Sequence, residues 1–257
     1  MDLGLHGRTA LVLASTGGLG AAVARALGQE GAQVVVTGRD AGKAERLAAS
    51  LPTAVAAPVD LTDPGAAATV LEATRRAFGE PDVVVLNGPG PAPSAATDLD
   101  SDAVQAAWRL LLGPHVEILN ETLDGMRSRG WGRILAVGSS GVEAPLPMLA
   151  ASNVGRAGLA AYLKTLATEV AADGVTVNML LPGRIATDRV AALDAAAADR
   201  AGRDVDAVRS ESQARIPAGR YGDPDEFGAV AAFLCSSRAS YVTGSMVRCD
   251  GGLLANL

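Results

Sequence analysis

The sequence predicts a single α/β domain, a doubly wound parallel sheet of seven strands with helices on both faces. Three observations predict it. Seven short, β-branched apolar runs alternate with longer helix-patterned stretches from one end of the chain to the other. The runs are almost continuously apolar, as in Leu11–Ala14 and Val83–Leu86, which is how strands covered on both faces read. The 257 residues, 49% hydrophobic and 19% charged, suffice for one large core.

In chain order, strands are expected at Thr9–Leu13, Gln33–Thr37, Ala54–Val59, Val83–Leu86, Arg133–Val137, Thr176–Leu181 and Met246–Cys249. Helices are expected at Gly18–Glu30, Ala41–Ser50, Pro64–Phe78, Ser101–Arg129, Leu149–Ala172 and Asp223–Cys235. Gly31 and Gly79 read as C-terminal stops. Asp63-Pro64 and Asp223-Pro224 read as an N-cap followed by proline in the first turn. Right-handed crossovers then wind the sheet in both directions. One stretch is irregular: Thr187–Pro217 is alanine-rich, charged and of helical pattern. It follows a strand's carboxyl end, where a substrate lid would sit.

Bulk properties exclude several classes. Net charge is −6, which argues against nucleic acid or an anionic membrane as partner. No apolar run is long enough to span a bilayer, and Met1–Arg8 does not read as a secretory signal. Two cysteines, Cys235 and Cys249, make no disulfide framework and fit a reducing cytoplasm. His6 and His115 lack ligand spacing, so no metal site is expected.

The chemistry starts at Ala14-Ser15-Thr16-Gly17-Gly18-Leu19-Gly20, which leaves the first strand and opens the first helix. Glycines let backbone approach a pyrophosphate, and a helix N-terminus offers free N–H groups and a positive dipole end. Ser15 and Thr16 can add hydroxyl donors. This is the turn of a Rossmann-type dinucleotide fold. The second strand ends at Thr37-Gly38-Arg39-Asp40. Where an NAD-preferring site usually carries an acid for the ribose 2′-hydroxyl stands Gly38, followed by Arg39. A guanidinium suits a 2′-phosphate, so NADP(H) is preferred. Asp40, one residue late, keeps NAD(H) possible.

These residues resemble the short-chain dehydrogenase/reductase family, near its 3-oxoacyl-carrier-protein reductase-like members, over nearly the whole chain. The glycine turn is similar to the family's Gly-x-x-x-Gly-x-Gly, with Ala14 for the first glycine. Asp60-Leu61 matches the pair that caps adenine. Leu86-Asn87-Gly88-Pro89 stands at the Asn-Asn-Ala-Gly position. Pro182-Gly183 with Ile185 and Thr187 matches the segment that contacts the nicotinamide end. Gly219–Pro224, Val242–Gly244 and Asp250–Gly252 look like the family's tail. The resemblance implies a homotetramer or dimer and a small carbonyl or alcohol substrate.

The catalytic pattern departs from the family. Ser139 aligns with the family's serine. The Tyr-x-x-x-Lys pair falls on Ser152 and Arg156, and the family's asparagine on Leu110. A serine hydroxyl is a far weaker acid than a phenol, and arginine stays charged. Ser152 and Arg156 are four apart on one helix face. If that face meets the cofactor, Arg156 can bind ribose or phosphate or polarise a carbonyl, and Ser139 can hydrogen-bond that carbonyl. Ser152 can equally be a helix-entry residue without chemistry. Tyr162 is ten residues, about 15 Å, beyond Ser152, and Tyr221 and Tyr241 lie in tail segments. His115 reads as a packed helix-interface residue.

Two functions follow. One is an NADPH-linked reductase of a 3-oxoacyl-like carbonyl, working through an atypical Ser139, Ser152 and Arg156 site. The other is a catalytically silent dinucleotide-binding protein, a sensor or structural subunit. The lid-like segment favours the first and the three departures favour the second. The enzyme is preferred.

Overall fold

Apolar side chains on both sides of every central strand require cover on two faces. The computed structural model describes residues 2–256. It contains seven strands: β1 (Thr9–Val12), β2 (Gln33–Gly38), β3 (Ala54–Pro58), β4 (Val83–Leu86), β5 (Gly132–Val137), β6 (Val175–Pro182) and β7 (Met246–Cys249). All pairs are parallel, in the order β3-β2-β1-β4-β5-β6-β7. The helices are α1 (Gly18–Gln29), α2 (Ala41–Ala49), α3 (Ala66–Phe78), α4 (Ser101–Leu111), α5 (Gly113–Ser128), α6 (Ala150–Val170), α7 (Asp188–Ala201), α8 (Val205–Ala214) and α9 (Pro224–Leu234).

Strand alternation sorts the core into two layers. Ala10, Val12, Val34, Val36, Val83 and Val85 face Val23, Leu27, Leu47 and Phe227, from α1, α2 and α9. Their chain neighbours Leu11, Val35, Val84 and Leu86 face Leu71, Ile118, Leu119 and Leu163, from α3, α5 and α6. A one-residue shift of register in any of these strands would exchange the layers. The doubly wound single domain expected from the sequence is the fold observed.

Two helices differ from expectation. The helix expected over Ser101–Arg129 is two, α4 and α5, broken at Leu112. Pro114 has no N–H for the carbonyl of Leu110 and cannot continue α4, but it fits the first turn of α5. The helix expected from Pro64 starts at Ala66, with Gly65 at its N-cap in the left-handed region, φ 80°. Asp63 therefore caps nothing with its side chain there; its backbone carbonyl takes Ala66 N–H. Other boundaries move by one or two residues. Asp223 does cap α9, in a reciprocal box with Glu226. Thr187–Pro217 carries α7, capped by the Thr187 hydroxyl, and α8, capped by Asp204.

Candidate active site

The strand order reverses between β1 and β4, so crossovers leave that point toward opposite faces and open a crevice at the strands' carboxyl ends. A cleft of about 870 Å³ lies there, roofed by α7. Ala14, Thr16, Gly18 and Leu19 of the first turn line it, as do Arg39, Asp60, Leu61, Asn87 and Gly88. So do Ser139, Ser152, Arg156, Pro182, Gly183, Ile185 and Thr187.

Two residues of the turn serve the scaffold. Ser15 is buried; its hydroxyl donates to Val12 carbonyl at 2.8 Å and accepts from Thr37 N–H at 3.0 Å. The hydroxyl expected as a phosphate donor is thus spent on fixing the turn between β1 and β2. Gly20 stands behind the cleft wall. A Cβ there would lie 2.6 Å from Ala14 oxygen and 2.7 Å from Asn87 Nδ2. Asn87 Nδ2 donates to Ala14 oxygen at 2.9 Å, so the tip of β4 is tied to the turn through the space that Gly20 leaves.

The cradle suits a dinucleotide. The N-cap of α1 is Gly17, which offers no side-chain acceptor, and no acid stands in the first turn. The helix's first N–H groups and its positive end are left for an anion. At the outer end, Arg39 is 72% exposed, 3.9 Å from the Asp60 carboxylate. Asp60 accepts from Thr62 N–H at 3.0 Å and from its hydroxyl at 2.7 Å. Those bonds, more than the charge of Arg39, hold its carboxyl below the ordinary range.

At the inner end, β5 delivers Ser139 and α6 delivers Ser152 and Arg156. Ser139 Oγ accepts from Gly141 N–H at 3.0 Å. Arg156 Nε lies 3.3 Å from Ser152 Oγ, and its Nη1 donates to Val137 carbonyl at 2.8 Å. In each serine a lone pair is occupied, and neither O–H donates to a partner among the described residues. Burial, with a smaller contribution from the charge of Arg189, pulls Arg156 down to about 10. It remains a cation at neutral pH. Leu110 also lines this end, as an apolar wall.

No tyrosine lines the cleft among the described residues. Tyr162 packs on the α6 side of the sheet, Tyr221 donates to the Asp194 carboxylate at 2.8 Å, and Tyr241 is fully exposed. His115 is buried beneath the floor, its Nδ1 2.9 Å from Leu111 carbonyl and its Nε2 3.4 Å from Asn87 carbonyl. Missed from the sequence were the Leu146–Leu149 wall and Arg184, Arg189, Arg200 and Arg215 around the roof. The wall belongs to no motif. Arg184 sits at an unspecified position of the Pro182–Thr187 segment, and the other three arginines were legible only as charge in the lid-like segment.

The family model described as "Enoyl-(Acyl carrier protein) reductase" matches residues 13–254. The 3-oxoacyl-[acyl-carrier-protein] reductase of Salmonella typhimurium is 31% identical over 254 residues, 98% of this chain and 99% of that one. The D-beta-hydroxybutyrate dehydrogenase of Cupriavidus necator is 32% identical over 258 residues, 98% of this chain and 99% of its own. Among solved structures, L-sorbose reductase from Gluconobacter frateurii, complexed with NADPH and L-sorbose, superposes with a TM-score of 0.93 at 31% identity, covering 100% of both chains.

Proposed function

This chain belongs to the short-chain dehydrogenase/reductase family, and from that premise we propose that it is an NADP(H)-dependent oxidoreductase reducing a small 3-oxoacyl-like carbonyl compound at an atypical Ser139/Ser152/Arg156 site. One observation carries the reading: two serine hydroxyls with uncommitted O–H groups, and the arginine behind one of them, line the same cleft as the glycine-rich turn and Arg39. NADP(H) suits that cleft, with Arg39 for the 2′-phosphate and the start of α1 for the diphosphate. The NADPH carried by L-sorbose reductase supports the same choice.

When bound, the nicotinamide supplies a hydride to the carbonyl carbon. Ser139 and Ser152 donate hydrogen bonds to the carbonyl oxygen and orient it. Arg156, a cation against Ser152, stabilises the negative charge that grows on that oxygen. A serine hydroxyl is no better an acid than water, so neither serine replaces a positioned phenol; the proton that completes the alcohol is drawn from solvent reaching the cleft, which takes back the hydroxide equivalent. By the same kinship a homotetramer or dimer is proposed.

The test is NADPH titration followed by turnover on a panel of 3-oxo esters, ketoses and ketones. NADPH loss matched by alcohol formation is expected. Without a positioned phenol, turnover runs about 10²–10⁴ below what restoring one would give, so Ser152→Tyr with Arg156→Lys is expected to accelerate it. Tight NADPH binding with no turnover on any compound leaves the silent, sensor-like reading instead. No binding of NADPH or NADH sinks both.

A further inference from the structure

The chain carries a net charge of −6, yet six arginines line the cleft against two aspartates, Asp60 and Asp188, with no lysine or glutamate. Three of the six have carboxylates: Arg39 beside Asp60, Arg184 on Asp194 at 3.0 Å, and Arg215 on Glu211. Arg156, Arg189 and Arg200 have no carboxylate partner among the described residues.

Arg189 is the best placed. From the first turn of α7 it crosses to the loop after β4, where Nη2 donates to Pro91 carbonyl at 3.0 Å. That nitrogen lies 3.1 Å from where a Gly90 Cβ would stand, so Gly90 leaves room for the guanidinium. Its charge is felt at Arg156 across the cleft. Arg189 is exposed and Arg156 is partly buried, and both line the cleft without a carboxylate partner among the described residues, so an oxyanion placed there can pair with both. Arg189, Leu193, Ala197 and Arg200 follow helical spacing along the one face of α7 that lines the cleft. Arg200, about 16 Å farther along the axis, stands at the outer end of that face.

We propose that the substrate is a carbonyl compound bearing an oxyanion, a carboxylate or a phosphate. Arg189 binds that group opposite the serines, and Arg200 draws anions to the mouth. The inference rests on the reductase reading and names its substrate class. Leu193 and Ala197 leave an apolar path for the carbon chain between them. The cofactor's phosphates do not need Arg189, because α1 and Arg39 serve them.

The test uses calorimetry on the protein loaded with NADP+, which cannot reduce the probes, with matched pairs: acetoacetate against methyl acetoacetate, and dihydroxyacetone phosphate against dihydroxyacetone. In at least one pair the anion is expected to bind about tenfold or more tighter, the yield of one charge-assisted bond. The pair that shows it identifies carboxylate or phosphate. Arg189→Gln is expected to abolish the preference while Arg189→Lys keeps part of it, with NADPH affinity measured alongside. Equal binding within both pairs, or no binding of either anion at millimolar concentration, overturns the inference. So does an Arg189→Gln that weakens NADPH and leaves the anion preference intact, because the arginine then serves the cofactor. Anion preference without turnover refutes the reductase reading alone; turnover that favours the neutral probes refutes this inference alone.

Discussion

Burial leaves His115 neutral beneath the cleft floor, its basicity pulled down to about 4 because desolvation outweighs the carbonyls of Asn87 and Leu111. An unfolded histidine titrates near 6.5. Between those values the unfolded chain holds a proton that the folded chain refuses. Stability from this residue is therefore complete above pH 6.5 and is lost as the pH falls toward 4. From pH 7 to pH 5 the loss is about 2 kcal/mol, at 1.36 kcal/mol per unit. His115→Gln, which can keep the bond to Leu111 carbonyl, is expected to lose stability less steeply over that interval in urea unfolding. Identical slopes in the two proteins would show that His115 does not titrate this way. Residues of the site were legible in the sequence where spacing carried them, as with Ser152 and Arg156 four apart on one helix face. Ser15 was misread because a hydroxyl's direction depends on Thr37, a neighbour 22 residues away. Arg189 and Arg200 were not legible as site residues because no local pattern shows which face of α7 meets the cleft, and Arg184 and Arg215 were not because they flank the roof helices outside any motif position.

Among the elements, α1 and α9 approach most closely where small residues meet. A Cβ on Gly228 would lie 2.7 Å from Ala22 carbonyl oxygen and 3.1 Å from its carbon. Those atoms are backbone and cannot swing aside. Helix propensity alone favours Gly228→Ala by about 1 kcal/mol, whereas overpacking at a closed contact costs about 1–3 kcal/mol. We expect the second to win, with a net loss of about 1 kcal/mol and a fall of about 2–4 °C in Tm, read by calorimetry. An unchanged or raised Tm would mean that α9 slides away from α1 at little cost. The helices and strands themselves were readable because caps, apolar period and turn glycines agree locally, as at Asp223 with Glu226. The two errors share a cause. Pro64 and Pro114 both fit a first helical turn, but nothing nearby in sequence says whether the helix begins at the proline, after it, or in place of a longer one.

Across the whole molecule, the cleft draws on both halves of the sheet. It joins the tips of β1 and β4 to Ser139 after β5, Pro182 of β6 and the roof of α7. These groups come from positions 14 to 200 and meet only in the folded chain, so a ligand there binds the native state and not the unfolded one. NADPH at a hundredfold its Kd is then expected to add about 2.7 kcal/mol. For a chain of this length that is a rise of roughly 5–10 °C in Tm. Arg39 decides how much of the response belongs to the 2′-phosphate. A guanidinium–phosphate bond contributes about 1.5–3 kcal/mol, and the exposure of Arg39 discounts that toward about 1–2 kcal/mol, a factor of about 5–30 in affinity. Scanning calorimetry of the native protein and of Arg39→Ala, each with NADPH and with NADH, separates the contributions. The variant is expected to lose most of its extra response to NADPH while its response to NADH stays. An equal loss for both cofactors would move Arg39 from the phosphate to the adenine, and no rise with either at millimolar concentration would remove the dinucleotide from the cleft altogether.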